Sequence, residues 1–165
     1  MKAKLILTVS LLSGMIFLGQ AWAQETAKVN PFSNHWLLDE KDEDKRTRKL
    51  EKYLRGFDQP MLEVGQRYSS IHQALKDNNF ELASYHWKKI RQTIKNGLMK
   101  RPARKKNAEL ILFNNTWQQV FNDFQSHDIS RAWQGFDKAT SACLSCHAAE
   151  KVNFVNNQPL FRLNH

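Results

Sequence analysis

The stretch ISRAWQGFDKATSACLSCH, residues 129–147, places Ile129, Trp133, Phe136, Thr140, Cys143 and His147 at intervals of three and four. That period puts all six side chains on one stripe of an α-helix. Strand-like alternation is absent here and elsewhere in the chain, so strands are not expected. A helix running from Ile129 to about Lys151, entered through a turn and cap at Ser126, His127 and Asp128, is the reference for reading the rest.

Working outward, the same period recurs in three earlier segments. A first helix is expected from Asp58, as N-cap, to about Lys76, with Pro60 in its first turn and Met61, Val64, Tyr68, Ile71 and Leu75 on its inner stripe. After the short turn at Asp77, Asn78 and Asn79, a second runs from Phe80 to about Lys95, with Ala83, Trp87, Ile90, Ile94 and Leu98 in register, Asn96-Gly97 as its C-cap and Leu98-Met99 as an added, frayed turn. A third spans about Asn107 to Gln125, with Leu110, Phe113, Trp117, Val120, Phe121 and Phe124 inward. Four amphipathic helices of similar length with short connections predict an all-α, antiparallel four-helix bundle over residues 57–152, a fold that holds cofactors between facing helices. Residues 24–56 form a charged N-terminal extension, and 153–165 a C-terminal tail. Within the extension, DEKDEDKRTRK (39–49) mixes both signs with almost no apolar content, which suits a partly helical, solvated arm.

The first residues bound the compartment. Met1-Lys2-Ala3-Lys4 leads into an apolar run from Leu5 to Leu18, too short for a comfortable membrane span, and Ala21-Trp22-Ala23 supplies a small-x-small cleavage pattern before Gln24. Residues 1–23 therefore read as a secretory signal peptide, in preference to an uncleaved anchor, and the exported chain is expected in the periplasm. The formal charge is +9, and the chain stays basic after the loss of Lys2 and Lys4. No later apolar run is long enough to cross a bilayer, so no membrane span is expected after signal removal.

The chain has two cysteines, both in Cys143-Leu144-Ser145-Cys146-His147. A disulfide between them would close a very small loop and do little for a domain of this size. A structural zinc site needs a second ligand pair that the chain lacks. A thiol redox centre of the Cys-x-x-Cys kind belongs with a βαβ pattern, which is not present. What remains is Cys-x-x-Cys-His, the attachment signature of c-type haem, with a chance expectation of about one in a thousand from the chain's composition. On a helix the three side chains share a face, so two thiols meet the vinyl groups and His147 lies under the iron as proximal ligand.

With the motif near the end of the last of four helices, the chain resembles class II cytochromes c, the cytochrome c-prime group with its low-spin relatives, over about residues 57–154. The resemblance implies a periplasmic protein with one covalent haem c, a left-handed bundle and often a homodimer. The extension and the tail depart from the family pattern, which leaves the dimer open. Low-spin members carry a methionine near the start of the first helix that faces the haem, and Met61 in GFDQPMLEVGQRY (56–68) matches it. Met61 also lies on the inner stripe, and Gly65 one turn later leaves room for a flat macrocycle. Flexible core filling is the plain alternative for Met61, and close helix-helix contact for Gly65.

Other candidates are weaker. His72 and His86 sit at stripe edges and are expected to face solvent. Tyr68, Trp87, Trp117, Phe121, Trp133 and Phe136 could wall a haem, though most should be packing. Arg67 and Arg91 could meet haem propionates, against the plainer reading of solvated helix faces. The basic connection KRPARKK (100–106) suits an acidic redox partner, or is simply solvated. Nucleic acid is not expected for an exported chain. The leading expectation is an electron-transfer cytochrome rather than an enzyme, with His147 and Met61 on the iron. The alternatives are a five-coordinate haem protein that binds nitric oxide or a similar gas, a haem-free thiol oxidoreductase, and a haem-free helical binding protein.

Overall fold

The structure is a computed structural model that describes residues 33–163, and the expected signal peptide, the first part of the expected extension (24–32) and the last two residues of the tail lie outside the described residues. It is all-helical, with no strand among the described residues. Residues 33–41 belong to a unit of their own and hold one turn, in which Asp39 N–H donates to His35 O at 2.9 Å. The larger unit starts with α1 (Glu43–Leu54), capped by Asp42 Oδ1 on Lys45 N–H at 2.9 Å. None of its residues is buried, as its charge pattern foretells.

Four longer stretches follow. The first is α2 (Asp58–Lys76), whose N-cap is Phe57 rather than the expected Asp58. The Asp58 carboxylate instead turns back to Gly56 N–H and to Arg55, so it fastens the entry to the helix from inside its first turn. The helix closes through a left-handed residue, Asn78 (φ 54°), with Asn79 N–H bonded to Ala74 O at 2.7 Å. Next, α3 (Phe80–Lys100) is capped by Asn79 and runs through Gly97 instead of ending there. The reason is packing: a Cβ at Gly97 would lie 2.9 Å from Phe57 Cε2, so the glycine makes room for a ring.

The single helix expected over residues 107–125 is divided into α4 (Lys105–Ala108), a π turn (Glu109–Phe113) and α5 (Thr116–Phe124), preceded by a 3-10 turn at Pro102–Arg104. Asn114 N–H reaches back to Glu109 O at 3.0 Å, Asn115 leaves the helical region (φ −144°, ψ −53°), and the Thr116 hydroxyl donates to Ile111 O. The wider turn shifts the phase of the stripe. Leu110, expected inward, is 70% exposed, and Ala108 and Leu112 are buried instead. The last long helix, α6 (Ile129–Ala149), is capped as expected by Asp128, although Ile129 in its first turn is exposed.

Helix α2 packs along α3 and α5 along α6, while α2 also touches α6 and α3 touches α5. The core is one apolar cluster in which Trp87, Phe124, Ile71, Leu75, Ile90 and Val120 are fully enclosed. Each of the aliphatic and phenyl side chains contributes about 1.5–3 kcal/mol. Trp87 also donates from Nε1 to Trp117 O at 2.9 Å, which ties α3 to α5. The tail is not a loose end: 3-10 turns at Asn153–Asn157 and Pro159–Arg162 fold back, and Leu160, Phe161 and Leu163 pack against the core.

Candidate functional site

Helix α6 positions the site, and its first half is bolted down. Ala132, Gly135 and Ala139 keep its inner face small, so α5 comes close enough that a Cβ at Gly135 would meet Asp123 Cβ at 2.8 Å. The Asp123 carboxylate is buried and accepts from Arg131 Nε at 3.0 Å and Lys138 Nζ at 2.7 Å, both on α6. Burial pushes its pKa up, but the hydrogen bonds from Lys138 and Arg131 and their charges outweigh it, leaving the carboxyl below its ordinary value. Nothing in the sequence pattern marked Asp123, because a single acid in an otherwise apolar stripe reads as a break in the stripe.

The second half carries Cys143, Cys146 and His147 within just over one turn of helix. Both thiols are free. Burial pushes the Cys143 thiol up to about 12, with the neighbouring Cys146 adding to the effect. Cys146 is also raised, first by burial and then by Glu150, with Arg104 acting in the opposite direction. His147 is half-buried, and its Nδ1 lies 2.8 Å from Asn156 Oδ1. The Phe161 ring stands edge-on to the imidazole at 5.7 Å.

Across from α6, Tyr68 on α2 bonds through its hydroxyl to Thr140, and the rings of Tyr68 and Phe136 stack at 4.6 Å. Thr140 donates to Phe136 O, so Tyr68 is the donor to Thr140. Burial raises the Tyr68 phenol well above its ordinary range, Thr140 opposing and Cys143 reinforcing the shift. His72, one turn further along α2, meets Trp133 and Phe136, the residues that precede Thr140 on α6. The two helices therefore run in opposite directions. About two turns back from Tyr68 is Met61, and about two turns on from Thr140 is His147.

The remaining expectations divide. Met61 is half-buried against the core, a setting that suits both a ligand and a filler. Gly65 faces neither another helix nor open space, since a Cβ there would lie 3.5 Å from Leu160 of the tail. His72, expected to face solvent, is buried, because α2 is covered by α3 on one side and α6 on the other and its enclosed arc is wider than one stripe. His86 is half-buried with an enclosed Nδ1, and burial, then Arg67, depresses its pKa. Arg67 pairs with Glu63 at 2.7 Å, while Arg91 lies over the Trp117 ring at 4.4 Å.

Of the basic connection, Lys100 donates to Leu54 O at 2.7 Å, Arg104 pairs with Glu150 at 3.5 Å and Lys105 with Glu109 at 3.6 Å. Part of its charge thus fastens this end of the molecule instead of facing outward. The aromatic residues form two groups, Trp87, Trp117, Phe121 and Phe124 between α3 and α5, and Tyr68, His72, Trp133, Phe136 and Phe161 along α2 and α6. Only the second group adjoins the thiols and His147. The sequence reading missed Asn156, Leu160 and Phe161, although Val155, Leu160, Phe161 and Leu163 already gave the tail an apolar content that a solvated end does not need. Among the described residues no helix is long and apolar enough to cross a membrane. Comparison of the chain with family models, curated proteins and solved structures returns no match.

Proposed function

We propose that this protein is a c-type monohaem electron carrier, with haem c attached covalently through Cys143 and Cys146, His147 as proximal ligand and Met61 as the second axial ligand. What supports the reading is that two free thiols and an imidazole fall within just over one turn of α6, while Met61 on the antiparallel α2 is half-buried against the core. The donor set fits haem c: each thiol would add across one vinyl group to give a thioether, and one imidazole nitrogen stays available for iron because Asn156 engages the other. Haem bound there would supply one reversible electron at iron.

The chain's own contribution is to hold the ligands and to exclude water. Tyr68, Phe136 and Phe161 give the α2 and α6 seam an apolar lining, and Met61 and His147 as a neutral pair would favour the reduced, less charged iron. We further infer an antiparallel four-helix bundle formed by α2, α3, the α4 to α5 segment and α6, located in the periplasm after cleavage before Gln24. Its partners are redox proteins, acidic ones favoured by the exposed Arg101, Lys105 and Lys106, with a homodimer as a further state. No nucleophile or general base is called on, so no enzymatic turnover is proposed.

Expression with signal peptide in a host that matures c-type cytochromes tests the reading. A haem stain that survives denaturation, lost in Cys143→Ala with Cys146→Ala, supports it. A chain that folds and exports without covalent haem overturns it, and leaves a thiol or binding role. The ferric near-infrared band of sulfur on iron, present in the native protein and absent in Met61→Ala, assigns the second ligand. A high-spin ferric spectrum indifferent to that change would make it instead an open haem for nitric oxide or a similar gas.

A further inference from the structure

We infer that Asn156 is the positioning residue of His147, accepting a hydrogen bond from its Nδ1–H and so committing Nε2 to the metal. This rests on the haem reading above and adds to it a residue from the tail, a segment outside the helices that carry the attachment motif. The geometry is specific about the direction of the bond. Asn156 Nδ2 donates to Leu144 O at 3.3 Å, which fixes which end of the amide faces which partner, so the atom 2.8 Å from His147 Nδ1 is the carbonyl oxygen. A carbonyl only accepts, and Nδ1 is therefore the protonated nitrogen. Neutral imidazole has one proton, which leaves the lone pair on Nε2.

The chain is built to bring Asn156 there. Helix α6 ends in a paired reversal, with Lys151 N–H on Ala148 O at 3.0 Å, Val152 N–H on His147 O at 2.9 Å, and Lys151 in the left-handed region at φ 58°. The 3-10 turn Asn153–Asn157 then runs back alongside the last turns of α6. Phe161 closes another side of the imidazole, so the ring is held by a hydrogen bond and by an edge-on aromatic contact. A hydrogen bond to the distal nitrogen of a metal-bound imidazole orients the ring and raises its basicity, and its loss typically costs 10–100-fold in metal affinity or activity. An amide oxygen is a milder acceptor than a carboxylate, so asparagine here sets an intermediate donor strength.

Three variants decide the point: Asn156→Ala, Asn156→Asp and, as a control in the same turn, Asn157→Ala. Two readouts are taken, the midpoint potential of the covalent haem protein and the 15N shifts of the His147 ring in the full chain made without haem. The expected result is a higher potential in Asn156→Ala, a lower one in Asn156→Asp, and no change in Asn157→Ala. In the haem-free chain neutral His147 is the Nδ1–H form, and in Asn156→Ala it reverts to a mixture dominated by Nε2–H. Equal potentials across all four haem proteins, with an unchanged tautomer, overturn the inference and leave the electron-carrier reading standing. A wild-type chain that acquires no covalent haem overturns that reading instead, and the ring shifts of the haem-free chain still decide whether Asn156 holds His147.

Discussion

From Ile129 to Ala139, α6 offers alanines, a glycine, a tryptophan and a phenylalanine to its neighbours and buries a carboxylate from α5 between two of its own cations. From Thr140 to Ala149 the same helix offers a hydroxyl, two thiols and an imidazole, all half-buried, with Tyr68 of α2 on the hydroxyl and the folded tail beside the imidazole. The first half is where stability is concentrated, since small residues and a doubly bonded acid leave little freedom to relax. The second half holds the two thiols and the imidazole. One continuous helix allows the rigid half to fix the azimuth of the reactive half, because each residue's direction follows from the last at about 100° per step.

The sharpest way to break that comparison is to remove the reactive half's chemistry and leave the fold. Replacing Cys143 and Cys146 together by serine is expected to abolish denaturation-resistant haem completely. Because both thiols are free and only half-buried, the helical circular dichroism of the haem-free chain should stay within about 10% of the parent. A collapse of helicity in that variant would show that the thiols belong to the structural half after all.

Asp123→Asn attacks the other half. It removes two charge-assisted hydrogen bonds from a buried acid whose partners remain half-exposed, so the expected cost is about 2 kcal/mol in urea unfolding. The pH dependence follows from the lowered pKa. A carboxyl depressed in the folded state adds stability at pH values above its unfolded pKa of about 3.9, and that stability is lost as pH falls through the folded value. The parent should therefore lose stability more steeply than Asp123→Asn below about pH 4. Parallel curves would mean that Asp123 is not held ionised by Arg131 and Lys138. Gly135→Ala tests the same joint by volume: the added methyl meets Asp123 Cβ, and a strain of about 1–3 kcal/mol set against a helix-propensity gain of about 1 leaves a net loss of about 1 kcal/mol.

How much of this could be read beforehand differs between the halves. The helical class, the stripe from Trp133 to His147 and the cap at Asp128 were legible because each follows from a local period or a local side chain. Gly97 was misread as a terminator because only the distant ring of Phe57 explains it, and Leu110 was misplaced because the π turn shifts the phase without any local signal stronger than Asn114-Asn115. The grip of Asp123 and the approach of Asn156 to His147 were not legible, since both depend on contacts across turns whose geometry no period encodes. The spacing of Cys143, Cys146 and His147 stood in the sequence, while its surroundings, Phe161 and Leu160 above all, came only with the fold of the tail.

The smallest expected effect concerns the hinge by which that tail reaches the site. Lys151 holds φ at 58°, where its Cβ is strained and a glycine would not be, and its side chain is exposed. Relief of about 1 kcal/mol is offset by the greater freedom of glycine in the unfolded chain, leaving Lys151→Gly more stable by about 0.5 kcal/mol. Since the two hydrogen bonds of the reversal are between backbone atoms, Asn156 keeps its place and the His147 ring shifts stay as in the parent. Loss of the Nδ1–H tautomer in Lys151→Gly, despite unchanged or higher stability, would mean that the lysine side chain and not the backbone reversal guides the tail, and would move the boundary of the reactive half from Ala149 out to residue 151.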